Sequence, residues 1–352
     1  MANIDTELGL GAGVDASLTV LQSFPVPDPT SNPYVSQLAD SLARQPGVHP
    51  VLFSWRAALM GRPQVFHVHW PEALIERRTW AKTQVRRALY LAFLLKLRLA
   101  RVPIVRTLHN LERPRDVGPV VDALLRLTER WTTLRIVLNP ATPVAGGRPS
   151  ELILHGDYRG WFARYSRPAP VPGRIVFFGR IRRYKNVPAL ISAIRSIPDR
   201  TDLSLRVAGN PSGPELASDL RARSAGDDRI AIIAHHLDDA DLVREVGEAE
   251  LVVLPYAEMH NSGSVLAALS LDRPVLVPDN EVNRLLRDEV GAHWVRLYPG
   301  ELRGGHLTAT LDALRAEPDA PAPDLHRRDW DDSARAHVRA YRRAIELRRR
   351  PS

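Results

Sequence analysis

Phe177-Phe178-Gly179-Arg180-Ile181-Arg182-Arg183-Tyr184-Lys185-Asn186 is the stretch whose reading decides the fold. An apolar β-run over 174–178 ends at a glycine, a turn follows with four cations, and a helix begins at Val187. In open parallel sheets, ligands bind just beyond the carboxyl ends of the strands, where backbone amides and helix N-termini favour anions. A diphosphate needs two or more positive groups on one side, and Arg180 with Lys185 can supply them from the surface of a cleft. A solvated basic loop is the alternative. The order strand, glycine, cations, helix favours phosphate.

Outward from this stretch, short apolar runs alternate with longer helical patterns, which predicts α/β layers on parallel sheets. In the second half, strands are expected at 174–178, 203–208, 230–233, 251–254 and 275–277, with helices at 187–196, 215–224, 239–249 and 264–271. In the first half, strands are expected at 18–24, 49–54, 65–69, 104–108, 135–138 and 151–154, with helices at 33–44, 78–100 and 117–131. Between the halves, Ser-Arg-Pro-Ala-Pro-Val-Pro-Gly over 166–173 reads as a linker. The expected division is 1–165, linker 166–173, 174–325, and a final segment 326–352 whose helix can cross back onto the first unit.

A length of 352 residues suits two domains, each with its own core. Cysteine is absent, which excludes disulfides and thiolate metal sites. The apolar run at 18–24 is too short for a secretory h-region, and no segment has the ~20 apolar residues needed to span a bilayer. The expected place is the cytoplasm, with peripheral contact at the inner face of the plasma membrane. The net charge of +8 comes from arginine, since the lysines are Lys82, Lys96 and Lys185 alone. Such a balance suits phosphate-rich partners. Nucleic acid is the weaker reading, because no aromatic platform interleaves the charge and no binding module is recognisable.

A second informative segment is Pro255-Tyr256-Ala257-Glu258-Met259-His260-Asn261-Ser262-Gly263-Ser264. It follows an apolar strand and precedes a helix, and Asn261, Ser262, Gly263 and Ser264 suit a helix start with free amides. Those amides can receive a phosphate or a sugar hydroxyl, with Glu258 accepting from a hydroxyl; an ordinary capped helix is the alternative. In the first half, His67 and His69 share one strand face, and His109 stands at a strand end before Asn110. His109 is the better active-site candidate, a hydrogen-bonded structural histidine being the other reading. The three histidines lack a carboxylate partner at ligand spacing, so no metal is expected. Gly9 to Gly13 precede the first strand and read as a leader, not as a dinucleotide fingerprint. The stretch 78–101 sets an apolar run, Ala88 to Leu95, among Arg86, Arg87, Lys96, Arg98 and Arg101, with Trp80 upstream. It reads as a core helix with basic ends or as a helix lying on anionic lipid.

With Pro274-Val275-Leu276-Val277 behind them, the two loop segments resemble the donor domain of GT-B glycosyltransferases, especially the family 4-like group. Phe66 to Glu72, Thr107 to Asn110, His155 to Phe162 and the helix over Trp330 to Tyr341 resemble that group's remaining landmarks. The resemblance implies two Rossmann-like α/β domains facing across a cleft, with an acceptor-binding first half and a nucleotide-sugar donor site in the second. It places Gly179, Arg180, Lys185 and Asn186 at the donor diphosphate, and Glu258 with Asn261 to Ser264 at the donor sugar. It implies no cofactor beyond the nucleotide-diphosphate sugar itself, GDP-mannose or a UDP-sugar. The group's pattern has two glutamates eight positions apart; Glu258 stands close to the first, and Ala267 occupies the second. The pattern is closer to β-mannosyl- or glucuronosyl-transferring relatives that build lipid-linked saccharides, which makes a saccharide on a polyprenyl carrier the expected acceptor. An inverting member needs a base from the first half, for which Glu72, Glu112 and His109 are the candidates. A non-catalytic nucleotide-sugar-binding protein on the same fold is the rival, and it predicts donor binding without turnover.

Overall fold

The computed structural model describes residues 17–28, 31–76, 79–110, 117–317 and 320–349; Gly9 to Gly13, Arg78 and Glu112 lie outside them. The first unit runs β1 (Leu18–Gln22), α1 (Pro33–Ala43), β2 (Val48–Val51), α2 (Trp55–Met60), β3 (Val65–Val68), α3 (Pro71–Ile75), α4 (Trp80–Leu99), β4 (Ile104–Leu108), α5 (Pro119–Trp131), β5 (Thr132–Val137) and β6 (Ser150–Leu152). After α6 (Arg159–Phe162), the second runs β7 (Arg174–Phe178), α7 (Val187–Arg195), β8 (Ser204–Ala208), α8 (Pro214–Ser224), β9 (Ile230–Ile233), α9 (Asp239–Gly247), β10 (Leu251–Val253) and α10 (Gly263–Ser270). It closes with β11 (Val275–Pro278), α11 (Glu281–Val290), β12 (Val295–Tyr298) and α12 (Gly304–Ala316), after which α13 (Trp330–Arg349) follows.

Each unit holds one sheet of six parallel strands, ordered β2-β1-β3-β4-β5-β6 and β12-β11-β10-β7-β8-β9. Both faces of such sheets are covered, so their strands read as nearly continuous apolar runs. In β3, Phe66 and Val68 pack with Phe93 and Tyr90 of α4 on one face. Val65 joins Val105, Leu134 and Ile136 on the other, under α1 and α13. The strand order reverses between β1 and β3 in the first sheet and between β10 and β7 in the second, and crevices open at those switch points.

The chain passes to the second unit before the Pro-rich stretch. Tyr158 and Phe162 already sit in the second core, and the segment after them lies along α9, with Val171 N–H donating to Glu248 O at 2.9 Å. The return crossing is α13, whose Ala334, Val338, Tyr341 and Ala344 complete the core of the first unit. Trp330 starts this helix against Gly156, where a Cβ would lie 2.3 Å from the indole ring.

Several elements go beyond the sequence expectation: α2, α3, α6, α11, β12 and α12. The signals for α11 are present in the sequence, since Asn280 Oδ1 accepts from Asn283 N–H at 2.9 Å and Gly291 ends the helix at φ +100°. Helix α4 settles neither sequence alternative alone. Tyr90, Phe93, Leu94 and Leu97 are buried, yet Trp80, Val85, Leu91, Leu95 and Leu99 form an apolar stripe open to solvent. Among the described residues, no helix is long and apolar enough to cross a membrane.

Candidate active site

Two loops leave the switch point of the second sheet and face each other. The first follows β7, where Gly179 takes φ +98°, a left-handed conformation that suits glycine. A Cβ there would stand 3.5 Å from Ser264 Oγ and 3.7 Å from Lys185 Nζ, so the glycine keeps open the space between the amine and the start of α10. Asn186, also left-handed at φ 51°, closes the turn, with its N–H donating to Arg183 O at 3.1 Å, and leads into α7. Of the four loop cations, Arg183 reaches Glu215 at 3.9 Å. Among the described residues, Arg180, Arg182 and Lys185 pair with no carboxylate.

Arg180 is exposed, as expected. Lys185 is not on the surface, contrary to expectation: it is 8% exposed, because the turn over Arg183–Lys185 folds its side chain back over the second loop. Its ammonium lies 4.7 Å from the ring centre of Tyr256 and 6.0 Å from that of Phe177. Burial, reinforced by Arg182, pulls its pKa from 10.5 down to about 8. A buried cation without a counter-charge is stabilised by any anion brought beside it.

The second loop is tied to the first by Ala257 N–H, which donates to Tyr184 O at 2.8 Å. Glu258 follows, exposed. Ser262 caps α10, its Oγ accepting from Val265 N–H at 3.4 Å. The first turn of a helix leaves N–H groups unbonded, and here that turn carries Ser264, beside Gly179. Gly263 is needed for space, since a Cβ would lie 2.9 Å from Tyr158 OH. Ala267 is buried on α10, so no carboxylate replaces the missing second glutamate at that place.

Asn261 behaves differently from its neighbours. Its Nδ2 donates to Leu108 O at 3.2 Å and His109 O at 3.1 Å, and its Oδ1 accepts from Asn139 Nδ2 at 2.6 Å. The residue expected at the donor sugar thus engages its amide with the strand ends of the first unit. His260 does likewise, its Nε2 lying 2.8 Å from Thr142 Oγ1 and 3.2 Å from Asn139 Nδ2. Asn139 and Thr142 escaped the sequence reading; the Asn-Pro turn just after β5 was their one signal.

Across the cleft, the switch point of the first sheet carries the histidines. His67, His69, Thr107 and His109 share the sheet face covered by α13. His67 is fully buried and bridges Thr107 Oγ1 and Tyr341 OH, both at 2.8 Å, which makes it an anchor for α13. His69 Nδ1 lies 3.0 Å from His109 Nε2, and Trp70 stacks on His109 with ring centres 4.1 Å apart. Burial lowers the pKa of all three well below the ordinary value, so the rings are neutral at pH 7. His69 Nε2 is buried without a hydrogen-bond partner among the described residues. Among the described residues, no group of three or more His, Cys, Asp or Glu is arranged to hold a metal. Glu72 opens α3, half-buried, its pKa raised by burial and held back by Arg106, which lies on the opposite face of β4 from Thr107. Glu112 lies outside the described residues.

Residues 172–302 match the family model described as Glycosyl transferases group 1. The chain is 44% identical over 330 residues to the GDP-mannose:glycolipid 4-beta-D-mannosyltransferase of Xanthomonas campestris pv. campestris, covering 93% of each protein. Among solved structures, it resembles the catalytic domain of starch synthase IV from Arabidopsis thaliana bound to ADP and acarbose, with TM-score 0.63 and 11% identity over 94% of this chain and 100% of that one. It also resembles Anabaena HepE in complex with UDP and glucose, with TM-score 0.57 and 14% identity over 94% and 97% of the two chains. At these identities the structural likeness is one of fold, the GT-B arrangement of two Rossmann-like units across a cleft.

Proposed function

The chain belongs to the group 1 glycosyl transferases and is a glycosyltransferase, and from that premise we propose that it moves mannose from GDP-mannose to a hydroxyl of a glycolipid. The observation that carries the donor site is Lys185, buried against Tyr256 with no carboxylate partner among the described residues and facing the first turn of α10. In the proposed reaction the acceptor oxygen attacks the anomeric carbon as the bond from that carbon to the β-phosphate oxygen breaks. GDP leaves with the bonding pair, and the hydroxyl proton passes to a base. Negative charge grows on the departing diphosphate, and Arg180, Lys185 and the amides of Gly263 and Ser264 meet it without reorganising. In this reading Arg180 and Lys185 supply the positive charge that a divalent ion supplies in metal-assisted transfer.

The 4-beta linkage in the relative's name, formed from an α-linked donor, corresponds to a single displacement with inversion. His109 is the base this reading favours over Glu72. It stands on the cleft side beside the donor loop, and its Nε2 is held by His69, which leaves Nδ1 for the acceptor. Glu258 is assigned to a hydroxyl of the donor sugar. A glycolipid acceptor requires the enzyme to work at a bilayer, and the solvent-exposed stripe on α4, flanked by Lys82, Arg98 and Arg101, is the proposed contact with an anionic cytoplasmic leaflet.

The test is a thermal-shift comparison of GDP-, UDP-, ADP- and dTDP-sugars, followed by turnover with a glycolipid acceptor. A ligand that binds only the folded state raises the melting temperature. GDP-mannose is expected to give the largest rise and to release GDP only when acceptor is present. A larger rise with another nucleotide overturns the donor assignment, and binding without acceptor-dependent release overturns the reaction.

A further inference from the structure

The two units are joined by the chain at residues 155–173 and again by the segment leading into α13, where Asp157 N–H donates to Arg328 O at 3.0 Å. A separate tie is made by side chains alone, between the strand ends of β4 and β5 and the second donor loop. Asn139, 7% exposed, donates through Nδ2 to Asn261 Oδ1 at 2.6 Å and to His260 O at 3.4 Å. Thr142 Oγ1 bonds His260 Nε2 at 2.8 Å, and Asn261 in turn donates to the carbonyls of Leu108 and His109. The loop is held from its own side too. Met259 O accepts from Asn280 Nδ2 at 3.1 Å, and Ala257 is bonded to Tyr184. Glu258, assigned to the donor sugar in the reading above, stands two positions before the gripped pair His260-Asn261.

We propose that Asn139 and Thr142 are positioning residues, which grip His260 and Asn261 and so fix where Glu258 stands relative to His109. This inference rests on the donor reading above. The donor loop would then carry two functions in one short segment: Glu258 presents the sugar, while His260 and Asn261 lock the first unit against it. Neither Asn139 nor Thr142 needs to touch either substrate. Their grip instead determines whether the anomeric carbon and the acceptor oxygen meet at reacting distance, a placement in which an error of about 1 Å costs on the order of a hundredfold in rate. Nucleotide binding belongs to Arg180, Lys185 and the first turn of α10, all within the second unit, and does not depend on the grip.

The test compares the wild type with Asn139→Ala, Asn139→Asp and the double variant Asn139→Ala, Thr142→Ala. Asn139→Asp has nearly the same size but lacks the N–H donors, so it separates hydrogen bonding from packing. For all three, kcat is expected to fall about tenfold or more, while the Kd for free GDP stays within about twofold and the melting temperature holds. Small-angle X-ray scattering on the unliganded chains should show wider separation of the units in the double variant than in the wild type. Unchanged kcat, or a kcat lost only in step with GDP affinity and melting temperature, overturns the inference. If the wild type itself transfers no mannose, the functional reading falls separately. The scattering then decides the grip alone, with unchanged separation refuting it.

Discussion

A Lys185→Met substitution keeps the length and apolar body of the side chain and removes only its charge. The ammonium is buried among Tyr256, Phe177 and its own loop, with no carboxylate partner among the described residues. Each pH unit by which a pKa is displaced corresponds to ~1.4 kcal/mol, so the fall from 10.5 to about 8 means that folding penalises the charged form by about 3 kcal/mol. Methionine removes that penalty and gives up a cation–π contact of ~1–2 kcal/mol. The net expectation at pH 7 is a gain of ~1–2 kcal/mol, a rise in melting temperature of ~2–8 °C for domains of this size. The gain must depend on pH. Below about pH 8 the folded wild type carries the charged amine and its full penalty. Between pH 8 and 10.5 the folded state sheds the proton while the unfolded chain retains it, so the wild type stabilises as pH rises. The advantage of the variant should therefore shrink towards pH 10. Calorimetric melting at pH 7 and pH 10, with titration of GDP, reads both effects. The variant should melt higher at pH 7 and lose GDP affinity by tenfold or more. A lower melting temperature at pH 7, or undiminished GDP binding, refutes the reasoning.

Two further predictions concern the frame and the surface. Arg328 and Glu289 form a nearly buried bidentate pair at 2.8 and 2.7 Å, and Arg328 also donates to His155 O at 3.1 Å, so Arg328→Met alone should cost about 3–5 kcal/mol in urea unfolding. Adding Glu289→Leu should recover much of that loss, and equal stability of the single and double variants would refute the pairing. On α4, neutralising Lys82, Arg98 and Arg101 should reduce co-sedimentation with anionic liposomes by ~1 kcal/mol per charge, in a manner that salt mimics. Lys96 is spared because its ammonium bonds Ala58 O at 2.8 Å and Gly61 O, holding the end of α2. Absence of sedimentation for the wild type at low salt would assign the stripe another partner.

Much of the proposed donor site is local in the sequence. Gly179, Arg180 and Lys185 lie in the loop after β7, and Ser262 to Ser264 end the loop after β10, and a parallel sheet places both loops at the same edge. The burial of Lys185 was not legible, since it depends on Tyr256, 71 positions away in the chain. The histidines divided for a similar reason. Alternation put His67 and His69 on one face, but only Tyr341 from α13 makes His67 a structural anchor and only the neighbouring strand joins His69 to His109.

By itself, then, the amino-acid sequence determined the alternation of strand and helix, the parallel sheets and the basic loop behind a strand-ending glycine, because each follows from periodicity, glycine placement and charge within short windows. Tertiary structure alone decided which of these residues face one another. It carried Tyr158 and Phe162 into the second core ahead of the linker, and bonded Asn261 to Asn139 and to the carbonyl of His109. Those outcomes depend on how two separately folded sheets meet. Contacts between residues more than a hundred positions apart leave no periodic trace in either segment.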